Sequence, residues 1–267
     1  MLSKLQFCKY NFSVFFLEVQ HLKISLITVT RNAQSTIGRC VDSVIAQNYN
    51  NLEYIVIDGA STDGTLQIVR RHSQFISHLV SEPDAGIYDA MNKGIHLATG
   101  DVIGILNADD HFAANDALSS IATAFNNSNC DIVYGNLNYL KPNNKVLRIW
   151  RSGNYKHGMF NWGWMPPHPA FYCRRSIFER FGHYDIAFGT AADYELMLRF
   201  LHLNKLSVNY VNKTLVNMVG GGASNKKFSN RLRAWKYDFK AMGKNGVLFP
   251  LLCIVFKPLR KVFQYVN

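Results

Sequence analysis

Short apolar runs alternate with segments of helical periodicity through the first half of the chain. Three β-branched runs have the length of buried parallel strands and cover residues 24–29, 54–57 and 102–106. Apolar residues at helical spacing predict helices over residues 36–46, 65–71 and 87–98. An extended segment is predicted over 75–80. This alternation favours a Rossmann-like, mostly parallel central sheet flanked by helices, with its ligand crevice beyond the carboxyl ends of the strands.

The second half of the chain has a mixed pattern. It predicts helices over residues 117–125, 174–181 and 193–203, and extended segments over residues 132–134 and 146–150. We therefore expect an α/β domain over 23–205 with a smaller mixed region in its second half. A leader of uncertain order precedes the domain over 1–22, and a basic, amphipathic helical extension follows over 206–267.

Composition narrows the class of protein. The hydrophobic fraction of 48% suits a globular chain, and the net charge of +11 favours polyanionic partners such as nucleic acid, acidic lipid or phosphorylated substrates. The five cysteines are odd in number and scattered, which is typical of reduced thiols in the cytosol. Because apolar runs fall short of the roughly 18–20 residues that a spanning helix needs, we expect no membrane crossing.

Two of the three strands end at carboxylates. Asp58 follows the second strand on a glycine-containing turn, where it can accept hydrogen bonds from a ribose or a base. The third strand delivers Asn107, Asp109 and Asp110 together, and clustered oxygen ligands suit Mg²⁺ or Mn²⁺ bridging a diphosphate. The alternative for both segments is a polar turn that caps the next helix.

A further acidic segment lies between these two turns. Asp84 and Gly86 precede a helix that carries Asn92 and Lys93. Asp84 is a candidate for binding a base or a ribose, and Lys93 for facing phosphate. A capped amphipathic helix with a solvated Lys93 is the alternative.

Four motifs in this order resemble family 2 glycosyltransferases of the GT-A fold, in the branch that builds bacterial exopolysaccharide, colanic-acid-like or O-antigen chains. They are the strand end at 30–32, Ile-Asp-Gly-Ala-Ser-Thr-Asp-Gly-Thr at 57–65, Asp-Ala-Gly-Ile-Tyr-Asp-Ala-Met-Asn-Lys-Gly at 84–94 and Leu-Asn-Ala-Asp-Asp at 106–110. The resemblance covers about residues 24–203. It implies an enzyme that transfers a sugar from a nucleotide-sugar donor with inversion.

The resemblance also implies roles for particular residues. Asp58 would contact the nucleotide, Thr30 would lie near the nucleoside, and the turn at 107–110 would take the family's Asp-x-Asp role toward metal and diphosphate. Asn107 departs from the more usual Asp, so metal ligation is expected to rest on Asp109 and Asp110.

Asp193 lies in the segment that resembles the family's Glu-Asp motif, with Ala192 in place of the more common Glu. An inverting transfer needs one carboxylate to take the proton of the acceptor hydroxyl, and Asp193 is the candidate base. The alternative is a helix cap at Asp193 with Glu195 as a helix-dipole partner. Glu195 is otherwise a candidate for contact with the acceptor or the diphosphate.

A rigid aromatic loop at 162–171 supplies further candidates. His168 is suited to bond a diphosphate or an acceptor, and the face of Trp164 is suited to stack on a sugar. The alternative is a buried structural histidine among core aromatics.

The C-terminal segment interleaves Lys and Arg with aromatic residues over 226–261, a pattern that suits an interfacial helix near anionic lipid. We therefore expect a peripheral protein at the cytoplasmic face of the plasma membrane, with a polyprenyl-linked or other saccharide as acceptor. A nucleic-acid-binding module is disfavoured because clustered carboxylates repel phosphate, so no nucleic-acid partner is expected. A sugar-nucleotide pyrophosphorylase would need a glycine-rich loop after Val29, which is absent, and an inactive donor-binding relative remains the main alternative.

Overall fold

The computed structural model describes residues 22–219, 228–262 and 264–265, so the leader predicted over 1–22 lies outside the described residues except for Leu22. The described residues form one mixed sheet of nine strands. These are β1 (Ile24–Thr30), β2 (Leu52–Asp58), β3 (His78–Ser81), β4 (Val102–Ile105), β5 (Asp110–Phe112), β6 (Ile132–Leu140), β7 (Val146–Trp150), β8 (Phe171–Arg174) and β9 (Val208–Val219).

The first half of the sheet is parallel, in the order β3-β2-β1-β4. All seven residues of β1 are buried, because both faces of a parallel sheet are covered by crossover helices. Thr30 pairs with Asp58, and Asp58 pairs with Ser81. The carboxyl ends of three strands therefore coincide, and the polar residues that follow them lie at one edge.

The second half of the sheet mixes directions. β8 pairs antiparallel with β4 and β6, β9 runs parallel to β6, and β5 pairs antiparallel with β9. β9 lies beyond residue 205, where we placed the start of a helical extension, so the sheet draws one of its strands from the C-terminal segment. The sequence did not predict β5, β8 or β9.

Helices cover both faces of the sheet. They are α1 (Ile37–Ile45), α2 (Thr65–Arg70), α3 (Ile87–Leu97), α4 (Ala117–Asn127), α5 (Arg175–Phe181), α6 (Ala192–Met197), α7 (Phe228–Lys244) and α8 (Pro250–Val262). One core cluster lies under α1 and α4, and the other lies under α3, α6 and α7. Among the described residues, no helix combines the length and hydropathy needed to span a membrane.

The predicted α/β class is confirmed, and each predicted helix has a counterpart in the structure. Two details differ locally. A single turn of 3-10 helix at Ser73–Phe75 includes the first residue of the segment predicted as extended over 75–80, and β3 begins only at His78. The helix predicted over 193–203 begins as α6 and ends in a π-helical segment at Leu198–Leu203.

Candidate active site

Asp58 ends β2 and is fully buried. Its Oδ2 accepts hydrogen bonds from the Ser61 amide at 3.0 Å and from the Ser81 hydroxyl at 2.6 Å, and its Oδ1 accepts one from the Ser61 hydroxyl at 2.5 Å. The carboxylate thus orders the loop after β2 and ties it to the end of β3. That loop contains Gly59, which lies against Asp84 and Arg31.

Asp84 lies directly against this loop. A Cβ atom built on Gly59 would stand 2.1 Å from Asp84 Oδ2 and 3.3 Å from Arg31 Cδ. Only a glycine at position 59 leaves room for the carboxylate, whose Oδ1 accepts a hydrogen bond from the Gly86 amide at 2.9 Å. The structure therefore brings Asp58, Asp84 and Arg31 to one end of the sheet.

Thr30 and the turn at 107–110 form the adjoining wall. The Ala108 amide donates to the Val29 carbonyl at 3.3 Å, which holds the turn against the end of β1. Thr30 Oγ1, Asn107 Oδ1 and Asp110 Oδ1 are buried and lack a hydrogen-bond partner among the described residues. Buried polar atoms without partners are uncommon, and here they cluster in one crevice.

Asp110 is almost completely buried, and Asn107 Nδ2 contacts its Oδ2 at 3.4 Å. Burial, and then the neighbouring Asp109 carboxylate, raise the pKa of Asp110 well above its usual value. A divalent cation would offset both effects. Two carboxylates and an amide oxygen are hard ligands that suit Mg²⁺ or Mn²⁺ when a diphosphate completes the shell.

The residues of this turn thus fit the predicted metal in their chemistry. A cluster of three or more His, Cys, Asp or Glu side chains arranged to hold a metal is absent from the described part of the chain. Such a site would accordingly draw ligands from Asn107 and from the donor in addition to Asp109 and Asp110.

Asp193 lies in the first turn of α6, where Ala191 is the N-cap. Its Oδ1 accepts a hydrogen bond from the Tyr194 amide at 2.8 Å and one from the Tyr88 hydroxyl at 3.2 Å. The residue is partly exposed. The helix-cap alternative does not describe this geometry, since Ala191 is the N-cap and Asp193 is the second residue of the helix.

His168 is buried beside Asp193. Its Nε2 lies 2.7 Å from the Tyr184 hydroxyl, and the Tyr184 ring packs 5.5 Å from the ring of Tyr88. Burial lowers the pKa of His168, while the Asp193 carboxylate acts in the opposite direction. His168 thus belongs to an aromatic layer behind the candidate base.

Tyr139 of β6 connects the two acidic groups. Burial raises the pKa of its hydroxyl, Arg148 lowers it, and the carboxylates of Asp110 and Asp193 both raise it. Because such effects need proximity, Tyr139 lies within electrostatic range of both the turn at 107–110 and the first turn of α6. The separation of these two groups in sequence hides this relationship.

Asn92 and Lys93 hold the surrounding loops. Asn92 makes two hydrogen bonds to the backbone of Tyr184. Its Nδ2 donates to the Tyr184 carbonyl at 2.9 Å, and its Oδ1 accepts from the Tyr184 backbone amide at 3.0 Å. Lys93 forms a salt bridge with Glu82 at 2.8 Å and donates to the Pro83 carbonyl at 2.8 Å. Asn92 thus ties α3 to the segment that carries Tyr184, and Lys93 anchors the segment that carries Asp84.

Glu195 and Trp164 are placed in the interior. Glu195 is fully buried, and its carboxylate pairs with Arg199 at 3.0 Å and with Lys244 at 3.4 Å. The Trp164 ring stacks 5.0 Å from Tyr155, and its Nε1 donates to the Ser152 carbonyl at 2.8 Å. Both side chains therefore make internal contacts with other described residues.

Sequence reasoning missed Tyr88 and Arg39. Tyr88 stands inside the motif at 84–94, but its partner lies 105 residues away. Arg39 of α1 lowers the pKa of Asp110, so its guanidinium lies within electrostatic range of the acidic turn. Arg39 lies in a segment whose apolar periodicity predicts only a helix, so the sequence does not indicate its proximity to Asp110.

Comparison with known proteins identifies the family of the chain. Residues 25–192 match the family described as glycosyl transferase family 2. The chain is 29% identical over 225 residues to a PGL/p-HBAD biosynthesis glycosyltransferase of Mycobacterium bovis, and the match covers 78% of this chain and 83% of that protein.

Two solved structures share the fold. S. aureus TarS in complex with UDP-GlcNAc aligns with a TM-score of 0.67 at 16% identity, over 88% of this chain and 69% of the TarS chain. The mannosyltransferase PcManGT from Pyrobaculum calidifontis, in complex with GDP-Man and Mn²⁺, aligns with a TM-score of 0.59 at 20% identity, over 85% and 64%. These likenesses confirm the predicted GT-A fold.

Proposed function

This chain belongs to glycosyl transferase family 2, and we propose that it transfers a sugar from a nucleotide-sugar donor to an acceptor hydroxyl with inversion at the anomeric carbon. The observation that carries the proposal is a pair of carboxylates: Asp110, whose buried Oδ1 lacks a hydrogen-bond partner among the described residues, and the partly exposed Asp193, which Tyr88 holds. One group is suited to the diphosphate side of the reaction and the other to the acceptor side.

The nucleoside half of the donor is proposed to bind where β1, β2 and β3 end. Asp84 is the partly exposed carboxylate there and is suited to accept hydrogen bonds from a ribose or a base. Asp58 supports it by ordering the loop that contains Gly59. The unpartnered Thr30 hydroxyl lies at the same edge.

Asp109 and Asp110, with the amide oxygen of Asn107, would hold Mg²⁺ or Mn²⁺ against the donor diphosphate. When bound, the cation offsets the charge that grows on the departing nucleoside diphosphate. The same residues give the chain a binding surface for the diphosphate only in the cation's presence, because two carboxylates otherwise repel it.

Asp193 is proposed to take the proton of the acceptor hydroxyl as that oxygen attacks the anomeric carbon from the side opposite the diphosphate. The bond to the diphosphate oxygen breaks as the new glycosidic bond forms. Tyr88 and the Tyr194 amide both donate to Oδ1, so they fix the orientation of the carboxylate.

The acceptor is proposed to be a polyprenyl-linked saccharide of a surface polysaccharide, reached at the cytoplasmic face of the plasma membrane. The net charge of +11 and the basic residues of α7 and α8 support an anionic membrane surface as partner. The four described cysteines are buried and free, which suits a reducing compartment.

The proposal is tested by a screen of UDP-, GDP- and dTDP-sugars with purified protein and Mn²⁺ or Mg²⁺. We expect metal-dependent release of one nucleoside diphosphate, abolished by EDTA and by Asp109→Ala but not by Asp42→Ala, which removes an exposed carboxylate on α1. Nuclear magnetic resonance of the product gives the anomeric configuration. A folded protein that binds none of the donors would refute the proposal.

A further inference from the structure

A second cavity lies beyond Tyr139, whose ring stacks on Trp150 of the cavity lining. It is a half-open cavity of about 620 Å³ lined by the end of β7, the segment 163–165 and α8. Four of its described lining residues are cationic, and none of them is acidic: Arg151, Lys257, Arg260 and Lys261. The carboxylates proposed to act on the donor, the metal or the acceptor proton do not line it, whereas Trp164, the candidate for stacking on a sugar, does.

The cations around the cavity differ in their contacts. Lys257 forms a salt bridge with Asp238 at 2.8 Å and lies over the Tyr194 ring. Arg260 donates to the Trp162 carbonyl, an uncharged group, at 3.3 Å. Arg151 is exposed. A phosphate group is the ligand chemistry that such a cluster favours.

A buried arginine adds to this field. Arg148 of β7 is only 6% exposed, and its guanidinium lies 3.9 Å from the centre of the Tyr139 ring. Its Nη1 donates to Gln264 Oε1 at 3.1 Å, and Gln264 lines the cavity. Among the salt bridges of the described residues, Arg148 has no carboxylate partner.

The helix above the cavity presents an apolar stripe to solvent. Its exposed members recur at spacings of three and four residues and therefore share one face: Leu251, Leu252, Val255, Leu259 and Val262. Leu251 is 72% exposed and Val262 is 62% exposed. Trp162, also exposed, packs against Phe256 beside the stripe.

The stripe and the cations occupy opposite sides of α8. The helical positions of Lys257, Arg260 and Lys261 lie on the side of the buried Cys253, away from the stripe. A helix that lies in a bilayer interface has this arrangement, since its apolar face enters the acyl region while Lys and Arg side chains reach back to the phosphates.

We propose that α8 lies in the interface of a bilayer and that the basic cavity holds the phosphate of an anionic phospholipid headgroup. This inference rests on the membrane placement in the proposed function and identifies the surface that makes it. Charge complementarity favours the lipid over a second copy of the chain, because the chain carries a net charge of +11 and two copies repel each other.

Flotation with vesicles of phosphatidylcholine, alone or with phosphatidylglycerol, tests the charge requirement. The wild-type chain binds the mixed vesicles and binds neutral ones far less. Arg151→Gln with Arg260→Gln weakens this binding by about 25-fold, or about fivefold for each cation removed. The matched control, Arg70→Gln with Arg71→Gln, removes two exposed cations at the end of α2 and leaves binding within about twofold.

A second pair of variants tests the stripe. Leu251→Asn with Leu259→Asn lowers binding by more than about tenfold, whereas Phe75→Asn with Leu203→Asn, which changes exposed apolar residues elsewhere, leaves it unchanged. Equal binding to neutral and anionic vesicles overturns the inference, as does full binding by either test pair. A wild-type dimer that dissociates in the Leu251/Leu259 variant without binding vesicles assigns the stripe to a second copy.

Vesicle binding requires no turnover. The proposed sugar transfer and the proposed membrane surface can therefore be refuted independently. A chain that binds anionic vesicles without releasing nucleoside diphosphate refutes the proposed reaction and retains the membrane surface. If the Arg151/Arg260 variant loses vesicle binding but hydrolyses the donor in solution at the wild-type rate, the basic cavity serves membrane binding and not donor turnover.

Discussion

The Tyr88 hydroxyl donates a hydrogen bond to Asp193 Oδ1 across 3.2 Å, joining the first turn of α3 to the first turn of α6. Burial, and then the Asp193 carboxylate, raise the pKa of Tyr88, so the hydroxyl keeps its proton and remains a donor. With the Tyr194 amide on the same oxygen, the carboxylate has a fixed orientation. Tyr88 is therefore a positioning residue for the proposed base.

Tyr88→Phe tests this contact. The change keeps the ring and removes the donor, so we expect kcat to fall by about tenfold or more, as is typical of a lost hydrogen bond to a charged group, with donor KM unchanged. Tyr155→Phe is the control, since it removes a hydroxyl that donates to the Leu201 carbonyl at 3.1 Å. Equal losses in the two variants, or a change confined to KM, would contradict the positioning role.

Gly59→Ala tests the placement of Asp84. Its new Cβ would meet Asp84 Oδ2 at 2.1 Å and displace the carboxylate, so donor binding should weaken by about tenfold, with kcat less affected. Asp84→Ala should weaken donor binding similarly, and the double variant should be no worse than either single one. Gly38→Ala, whose Cβ finds only an ordinary contact with Ile68, serves as the control for calorimetric titration of the donor.

Gly104→Ala tests the packing of β4 against β8. A Cβ at this position would lie 2.1 Å from the buried Tyr172 ring, and neither backbone nor ring has room to move. We expect the free energy of unfolding to fall by about 1–3 kcal/mol in urea titrations. Gly243→Ala in α7 meets nothing within 4 Å and should instead be neutral or stabilising, because alanine favours a helix.

The stability of the fold should depend on pH through His168. Because burial lowers the pKa of His168 in the folded chain, the unfolded chain binds more protons below the ordinary value of 6.5. The free energy of unfolding should therefore decrease as the pH falls through this range. His168→Gln should flatten the decrease in urea titrations between mildly acidic and neutral pH. A variant that retains the full wild-type slope would exclude His168 as its source.

Local sequence was sufficient for much of the fold. The β-branched runs predicted β1, β2 and β4, because buried parallel strands need apolar residues on both faces. The ordered motifs indicated the glycosyltransferase family, and the comparisons confirm it. β8 and β9 escaped prediction because their pairing with β6 depends on partners that lie far away in the chain.

The site was harder to predict for the same reason. The acidic strand ends were visible because register brings Thr30, Asp58 and Ser81 together. Glu195 was not distinguishable from an acceptor ligand, since its full burial and its ion pair with Lys244 appear only when α6 packs against α7, and only the i,i+4 pair with Arg199 is local. Direct contact of the predicted donor residues with a nucleotide sugar stays a prediction.

Asp193 is proposed to take the proton of the acceptor hydroxyl. The most direct test compares Asp193→Asn with the wild type in donor binding by calorimetry and in sugar transfer to acceptor, with Asp42→Asn as the matched control. We predict that Asp193→Asn binds the donor with wild-type affinity and loses transfer by at least about a hundredfold, the scale of general-base catalysis, while Asp42→Asn retains both. Transfer by Asp193→Asn at the wild-type rate would exclude Asp193 as the general base.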